Sequence, residues 1–143
     1  MSETPERAKI ITRLRAAGLR PTRQRIALAK LLSGPHRHVT AEGLHVESQA
    51  GDIPVSLATV YNTLHQFVNA GILREVVVDP GKSYFDTNTS EHHHFYFEKR
   101  GQLTDIPAGE LALGRLPPAP TGSRVVGVDV VIRLAETDEN NTQ

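Results

Sequence analysis

The sequence predicts an α+β fold in which an N-terminal winged helix-turn-helix domain precedes a small C-terminal α/β domain. Three observations support this prediction. Four short segments with helical apolar spacing come first, and a glycine or a run of helix breakers ends each of them. A two-stranded hairpin pattern follows the fourth segment directly, and strand patterns continue to residue 134. We expect domains at 1–85 and 86–135 and a disordered polar tail over 136–143.

Capping residues mark the first two helices. Thr4-Pro5-Glu6 is typical of a helix start, and Gly18 can end that helix in a left-handed conformation. Pro21-Thr22 opens a second helix, which the successive breakers Ser33-Gly34-Pro35 stop. The sequence therefore predicts helices over about 5–17 and 22–32.

The third and fourth helices are predicted in the same way. Thr40 caps a short helix that ends near Gly51, and Ser56 caps a longer one that Gly71 ends. The fourth helix has an apolar face and an opposite polar face formed by Thr59, Asn62, Thr63 and Gln66. In a helix-turn-helix domain the helix at this position enters the DNA major groove, so its polar face is the candidate DNA reader.

The hairpin pattern covers Ile72–Val78 and Lys82–Asp86, with a turn at Asp79-Pro80-Gly81. Directly after a helix, such a hairpin is the wing of a winged helix. Gly81-Lys82-Ser83 matches the end of a phosphate-binding loop, but Val76 stands where that loop needs a glycine. A nucleotide-binding site is therefore excluded.

The C-terminal part is predicted as a second hairpin, a short helix and a final strand. His94–Glu98 and Gln102–Ile106 form the hairpin, Ala108–Gly114 the helix and Arg124–Leu134 the strand. That strand is apolar on both faces, so it needs cover from more than one layer. In so small a domain a second subunit is the natural cover, which makes this the dimerisation domain.

Charge and cysteine content narrow the function classes. The net charge is zero, yet no Asp or Glu occurs between Glu6 and Glu42, while nine basic residues lie from Arg7 to Arg37. Such a segment is either a solvated pair of helices or a surface for nucleic acid. The absence of cysteine excludes disulfides, thiolate zinc sites and Cys ligation of haem. No signal peptide or membrane span is recognisable, so we expect a cytoplasmic protein.

Seven histidines are present, and three of them are adjacent at His92-His93-His94. In an extended segment His92 and His94 share a face while His93 points away. Because imidazole is a good ligand for zinc, iron and haem, we favour metal or haem binding over a coincidental solvated cluster. His36 and His38 repeat the alternate spacing, whereas His45 and His65 are more typical of helix surfaces, although a haem site there is not excluded.

Several segments, taken together and in order, resemble the ferric uptake regulator family over roughly residues 14 to 134. They are Leu14-Arg15-Ala16-Ala17-Gly18-Leu19-Arg20-Pro21-Thr22-Arg23-Gln24-Arg25, His38-Val39-Thr40-Ala41-Glu42, Leu57-Ala58-Thr59-Val60-Tyr61 and Gly81-Lys82-Ser83 with the His92 cluster. Tyr61-Asn62-Thr63-Leu64-His65-Gln66-Phe67, the lack of cysteine and the His92–Phe95 run are similar to the family's iron response regulator branch.

The resemblance implies a homodimeric transcriptional regulator, not an enzyme, that binds double-stranded operator DNA under iron limitation and releases it on contact with haem. The family's interdomain metal ligands align with His38, Asp86, His94 and Asp105, and the expected haem-binding residues are His92, His93 and His94 with His38. The implied cofactor is haem or iron, with zinc or manganese as alternatives. Such a ligand could set the angle between the two DNA-reading domains.

For DNA, the expected contacts fall into two groups. Tyr61 is placed against a thymine methyl group, and the other base-edge candidates on the fourth helix are Thr59, Asn62 and Gln66. Phosphate or minor-groove contacts are expected from Arg15, Arg20, Arg23 and Lys82, and Ser56 is included at the start of the fourth helix. Packing of Tyr61 against the wing is the alternative for that residue.

Departures from the family pattern matter as well. The paired cysteines of the family's structural zinc site are missing, and its late histidine aligns with Val128, so a second metal site is doubtful. Asn62 replaces the usual arginine, which suggests a different operator.

Two other classes of protein stay open: a sibling sensor of zinc, manganese, iron or peroxide, and a metal-dependent hydrolase. The hydrolase lacks a recognisable general base or substrate pocket.

Overall fold

A computed structural model describes residues 4–51 and 53–137. The chain divides into two compact units, and the division falls between Thr89 and Ser90. Within the described ranges no helix has the length and apolar character needed to cross a membrane. The predicted disordered tail falls largely on residues 138–143, which lie outside the described part of the chain.

The first unit contains four helices, α1 (Pro5–Ala16), α2 (Arg23–Leu31), α3 (Ala41–Gln49) and α4 (Leu57–Asn69). Each begins after a Thr or Ser whose hydroxyl accepts a hydrogen bond from the backbone N–H three residues later; these caps are Thr4, Thr22, Thr40 and Ser56. Such caps satisfy N–H groups that have no partner inside the helix. The four helices therefore occur close to where the sequence predicts them.

A three-stranded sheet completes the first unit. Its strands are β1 (His38–Val39), β2 (Arg74–Asp79) and β3 (Lys82–Asp86), in the order β1-β3-β2. Strands β2 and β3 are the predicted wing, whereas β1 has only two residues and no alternation that could reveal it in the sequence. The helices and sheet share one apolar core, which includes Leu14, Leu28, Leu44, Val60, Leu64, Phe67 and Phe85.

The second unit is built on strands β4 (His94–Phe97), β5 (Gln102–Asp105) and β6 (Val131–Leu134). Their order is β5-β4-β6: β4 and β5 form the predicted antiparallel hairpin, and β6 runs parallel to β4. Tyr96, Leu103 and Ile106 are buried in this unit.

Two predictions for the second unit are wrong. Residues 108–114 form no helix but a turn at 108–110, where Gly109 has a φ of 86°. A helix of that length is costly to nucleate without an apolar face to bury, and Leu113 is 44% exposed. The last strand covers only Val131–Leu134 rather than Arg124–Leu134, because β4, its partner, pairs with those four residues alone.

Candidate functional site

The first unit places one histidine against one buried carboxylate. Strand β1 pairs with β3 so that His38 lies directly opposite Asp86. Nε2 of His38 is 3.2 Å from Oδ2 of Asp86, whose side chain is fully buried. The other oxygen, Oδ1, accepts a hydrogen bond of 2.9 Å from the backbone N–H of Asn88. The hydrogen bond from Asn88 fixes the carboxylate of Asp86 beside the imidazole of His38. The two side chains together are a suitable pair of metal ligands.

The second unit holds a similar arrangement. Strand register sets His94 opposite Asp105, and the Nε2 atoms of His92 and His94 lie 3.1 and 3.3 Å from the same Oδ1 of Asp105. The ligand atoms of these three residues all lie within 4.8 Å of one another. His92 is oriented by its Nδ1, which is 2.7 Å from the carbonyl oxygen of Ser90. Two imidazoles therefore converge on one carboxylate.

His93 and the other histidines are placed differently. The Nδ1 atom of His93 accepts a 3.1 Å hydrogen bond from the backbone N–H of Val130, so its ring faces the chain before β6. His65 packs edge-on against Phe85, with ring centroids 5.7 Å apart. His36 is exposed and His45 is half-buried on α3. In the described residues, none of these four histidines belongs to either ligand group.

The donor atoms fit a divalent metal ion. Both groups consist of imidazole nitrogens and carboxylate oxygens without thiolates, a set that suits manganese, iron or zinc. Asp86 and His94 are almost completely buried, and a buried carboxylate needs a positive or hydrogen-bonding partner. Asp86 therefore holds its charge away from water, whereas the Asp105 side chain is 40% exposed.

Helix α4 presents three of the predicted DNA-reading side chains to solvent: Tyr61, Asn62 and Gln66 are exposed, and Thr59 is half-exposed. The sequence predicts Thr63 on the same polar face, but Thr63 is only 4% exposed, so this prediction is wrong. Tyr61 is 36% exposed. It can therefore reach a ligand from α4.

Two of the predicted readers already have contacts within the protein. The Ser56 hydroxyl caps α4 by accepting from the Thr59 N–H and also donates to the Thr59 Oγ1 at 2.9 Å. The Gln66 side-chain oxygen accepts from Nε and a terminal nitrogen of Arg25 at 3.3 and 3.0 Å. The sequence does not predict this contact of Arg25, because the packing of α2 against α4 brings the two side chains together.

The predicted phosphate contacts Arg15, Arg20, Arg23 and Lys82 are exposed on α1, the α1–α2 connection, α2 and the wing. Arg37, from the same basic segment, makes its contacts within the protein instead. Its guanidinium donates two hydrogen bonds to Glu47, at 3.0 and 2.7 Å, and one to the carbonyl of Leu31 at 2.9 Å. The hydrogen bond to Glu47 raises the pKa of Arg37 above its ordinary value.

Glu42 is a further residue that the sequence did not assign to the site. Its carboxylate accepts a hydrogen bond from the Tyr61 hydroxyl. This bond lowers the pKa of Glu42, since it favours the charged carboxylate, and raises the pKa of Tyr61, since it favours the protonated phenol. Nineteen residues separate the pair, so only the packing of α3 against α4 brings them together.

Known proteins resemble this chain in both sequence and fold. The model of the ferric uptake regulator family matches residues 16–113. The peroxide-responsive repressor PerR of Staphylococcus aureus is 37% identical over 102 residues, which cover 71% of this chain and 68% of that protein. Members of the family are transcriptional regulators rather than enzymes.

Solved structures confirm the α+β fold. The Vibrio cholerae ferric uptake regulator matches with a TM-score of 0.69 and 25% identity over 87% of this chain and 98% of that one. The Pseudomonas aeruginosa ferric uptake regulator with manganese matches with a TM-score of 0.68 and 24% identity over 90% and 98% of the two chains. The extent of the family match and the identity to PerR establish that this chain belongs to the ferric uptake regulator family.

Proposed function

We propose that this chain is a homodimeric, metal-responsive transcriptional regulator that binds operator DNA through α4 and the wing. Its DNA affinity would answer to a divalent cation ligated by His38, Asp86, His94 and Asp105. The observation that carries the proposal is the strand register, which sets a histidine opposite an aspartate once in each unit. In each pair the imidazole Nε2 and a carboxylate oxygen lie 3.2–3.3 Å apart, which is close enough for both atoms to ligate one cation.

The bound ion would be manganese, iron or zinc. Two imidazole nitrogens and two carboxylate oxygens form a mixed donor set that suits each of these three metals. His92, which contacts Asp105, is a candidate fifth ligand. When bound, the cation supplies a fixed positive charge and a geometry that its ligands must satisfy together. Ligands contributed by both units would then couple cation binding to the arrangement of the DNA-binding units.

Haem and peroxide are the two alternatives to a divalent cation as the signal that the protein senses. The haem version is supported by the adjacent His92, His93 and His94, by the absence of cysteine and by the resemblance to the iron response regulator branch. Against it stands His93, because its Nδ1 accepts the Val130 N–H, and a neutral ring then carries its proton on Nε2, the nitrogen that would bind iron. The peroxide version is supported by the identity to a peroxide-responsive repressor. We favour divalent metal sensing, because each ligand group already brings an imidazole nitrogen and a carboxylate oxygen together.

DNA binding by α4 rests on exposure and charge. Tyr61, Asn62 and Gln66 are exposed on one helix, and the cationic residues of α1, α2 and the wing lie in the same unit. Exposed Arg and Lys side chains supply the salt-dependent part of DNA affinity, while α4 supplies base contacts. Family regulators are DNA-binding dimers, and a dimer reads two half-sites.

A binding assay with and without each ligand tests the proposal. An operator is first selected in vitro from random duplexes with the purified protein and Mn²⁺. Fluorescence anisotropy then measures its affinity with chelator, Mn²⁺, Zn²⁺, anaerobic Fe²⁺ or haem, and after peroxide treatment of the iron form. We expect a divalent cation to tighten operator binding at least about tenfold.

Variants from the two ligand groups sharpen this test. His38→Ala and Asp105→Asn change one partly exposed residue in each unit, and each should weaken cation-dependent binding by about 10- to 100-fold. His36→Ala, an exposed histidine outside both groups, is the matched control and should leave binding unchanged. One cation per chain, lost in either variant, supports a shared ion. A response to haem alone would favour the haem version, and no duplex binding under any condition would refute the function.

A further inference from the structure

The acid that contacts Tyr61 occupies an unusual place in the DNA-binding unit. Glu42 lies in the first turn of α3 and is the first acidic residue after Glu6, at the end of the long cationic segment. It is exposed, so its negative charge is not needed to neutralise a buried cation. A carboxylate on the surface proposed to meet DNA repels phosphate, so a favourable contact within the protein would offset that cost.

That contact is the Tyr61 hydroxyl on α4. Glu42 and Tyr61 also line a surface depression whose other walls include Lys82 and Ser83 of the wing. The pair therefore stands where the candidate reading helix and the wing approach each other. Tyr61 is 36% exposed, so part of its ring can still contact a ligand from solvent.

We propose that Glu42 is a positioning and specificity residue, which holds the Tyr61 side chain in one orientation and engages its hydroxyl proton. Tyr61 would then read DNA through the apolar edge of its ring, as a contact with a thymine methyl group. This inference rests on the proposed DNA-binding function of α4.

Two physical effects support this role. A phenol whose proton is donated to a carboxylate cannot donate it to the acceptor atoms of guanine or thymine, so hydrogen-bonded readout through that proton is suppressed. A charge-assisted bond is also stronger than a neutral one, and it restricts the rotamers of an otherwise exposed ring. The ring is thus prepared before DNA arrives, which lowers the entropy cost of the contact.

The test separates the acceptor from the charge. Wild type, Glu42→Ala, Glu42→Gln and Tyr61→Phe are compared on the selected operator and on copies in which single thymines are replaced by uracil, which lacks only the methyl group. Wild type should discriminate against one uracil by about three- to tenfold, within the range of a single base contact. Glu42→Ala should lose most of this discrimination, whereas Glu42→Gln, which still accepts a hydrogen bond, should retain it.

Nonspecific affinity provides the second readout. Both Glu42 variants remove a negative charge and should bind unrelated duplex DNA more tightly at low salt. Glu75→Gln, at another acid that lines the same depression, is the matched control and should keep the methyl preference. Retained preference in Glu42→Ala would overturn the inference. Loss in Glu75→Gln as well would assign the effect to charge and would equally overturn it.

A spectroscopic measurement confirms the contact itself. The phenol absorbance that Tyr61 contributes, obtained by subtracting the Tyr61→Phe titration, should show a pKa above the ordinary tyrosine value that falls in Glu42→Ala. Melting curves check that every variant folds. Absence of any operator binding by wild type would refute the proposed function, whereas normal binding with an unchanged methyl preference in Glu42→Ala would refute this inference alone.

Discussion

At the scale of single residues, contacts within the protein decide which charges are available to a ligand. Arg23 and Arg37 both belong to the basic segment, yet Arg23 is exposed while Arg37 is bonded to Glu47 and to the Leu31 carbonyl. A guanidinium that satisfies three acceptors inside the fold is poorly placed to neutralise phosphate. Counting basic residues in the sequence therefore overstates the DNA-binding charge.

Exchanging Arg37 for alanine should reveal this difference. Arg37→Ala loses a bidentate pair that is about one-third exposed, so we expect it to lower the free energy of unfolding by about 1 kcal/mol. It should leave the salt dependence of operator binding unchanged. Arg23→Ala is the opposite case, with stability unchanged and the salt slope reduced by about one. Urea denaturation and anisotropy at several salt concentrations measure both. A reduced salt slope in Arg37→Ala would show that Arg37 contacts DNA after all.

At the scale of secondary structure, local signals predict most elements but not their partners. Caps, breakers and apolar spacing locate all four helices because those signals lie within a few residues of each helix end. Strand β1 cannot be predicted from the sequence, because two residues show no alternation and its position depends on pairing with the distant strand β3. The Arg25–Gln66 contact also depends on residues that are distant in the sequence, so local signals do not predict it.

The ligand residues show a similar division. The family resemblance predicts the ligands His38, Asp86, His94 and Asp105. The register that places a histidine opposite an aspartate in each sheet comes from the folded strands. Alternation in the sequence was enough to separate His92 and His94 from His93, because neighbouring residues of an extended segment face opposite ways. Which carboxylate they meet could not be read from spacing alone.

Ser56 offers a test at the level of one helix. It caps α4, so Ser56→Ala should destabilise the protein by about 1 kcal/mol. Ser56→Asp keeps a capping oxygen and should retain stability, but it adds a negative charge to the surface expected to meet DNA and should weaken operator binding. Denaturation and anisotropy separate the two effects. Unchanged stability in Ser56→Ala with weaker DNA binding would show that Ser56 contacts DNA directly instead of acting as a cap.

At the scale of the whole molecule, we expect the segment before β6 to lie in the interface of the proposed dimer. Val125 and Val126 are 52% and 82% exposed. Neighbouring residues of an extended chain point to opposite sides, so apolar surface meets water on both sides here. The described residues 124–130 lie outside both sheets, although their sequence is typical of a strand. A second copy of the chain can supply both the missing strand and the apolar cover.

Placing a charge on this segment tests whether it mediates dimerisation. In a dimer interface, Val126→Glu would bury an unpaired carboxylate, so the dissociation constant of the dimer should rise at least about tenfold. Val77→Glu, at a 62% exposed valine in the first unit, is the matched control for adding a charge at an exposed valine and should remain dimeric. Sedimentation velocity measures the oligomeric state, and circular dichroism confirms folding. Because a monomer contacts only one half-site, operator affinity should fall in parallel for Val126→Glu. A dimer of normal stability in that variant would place the interface elsewhere in the second unit.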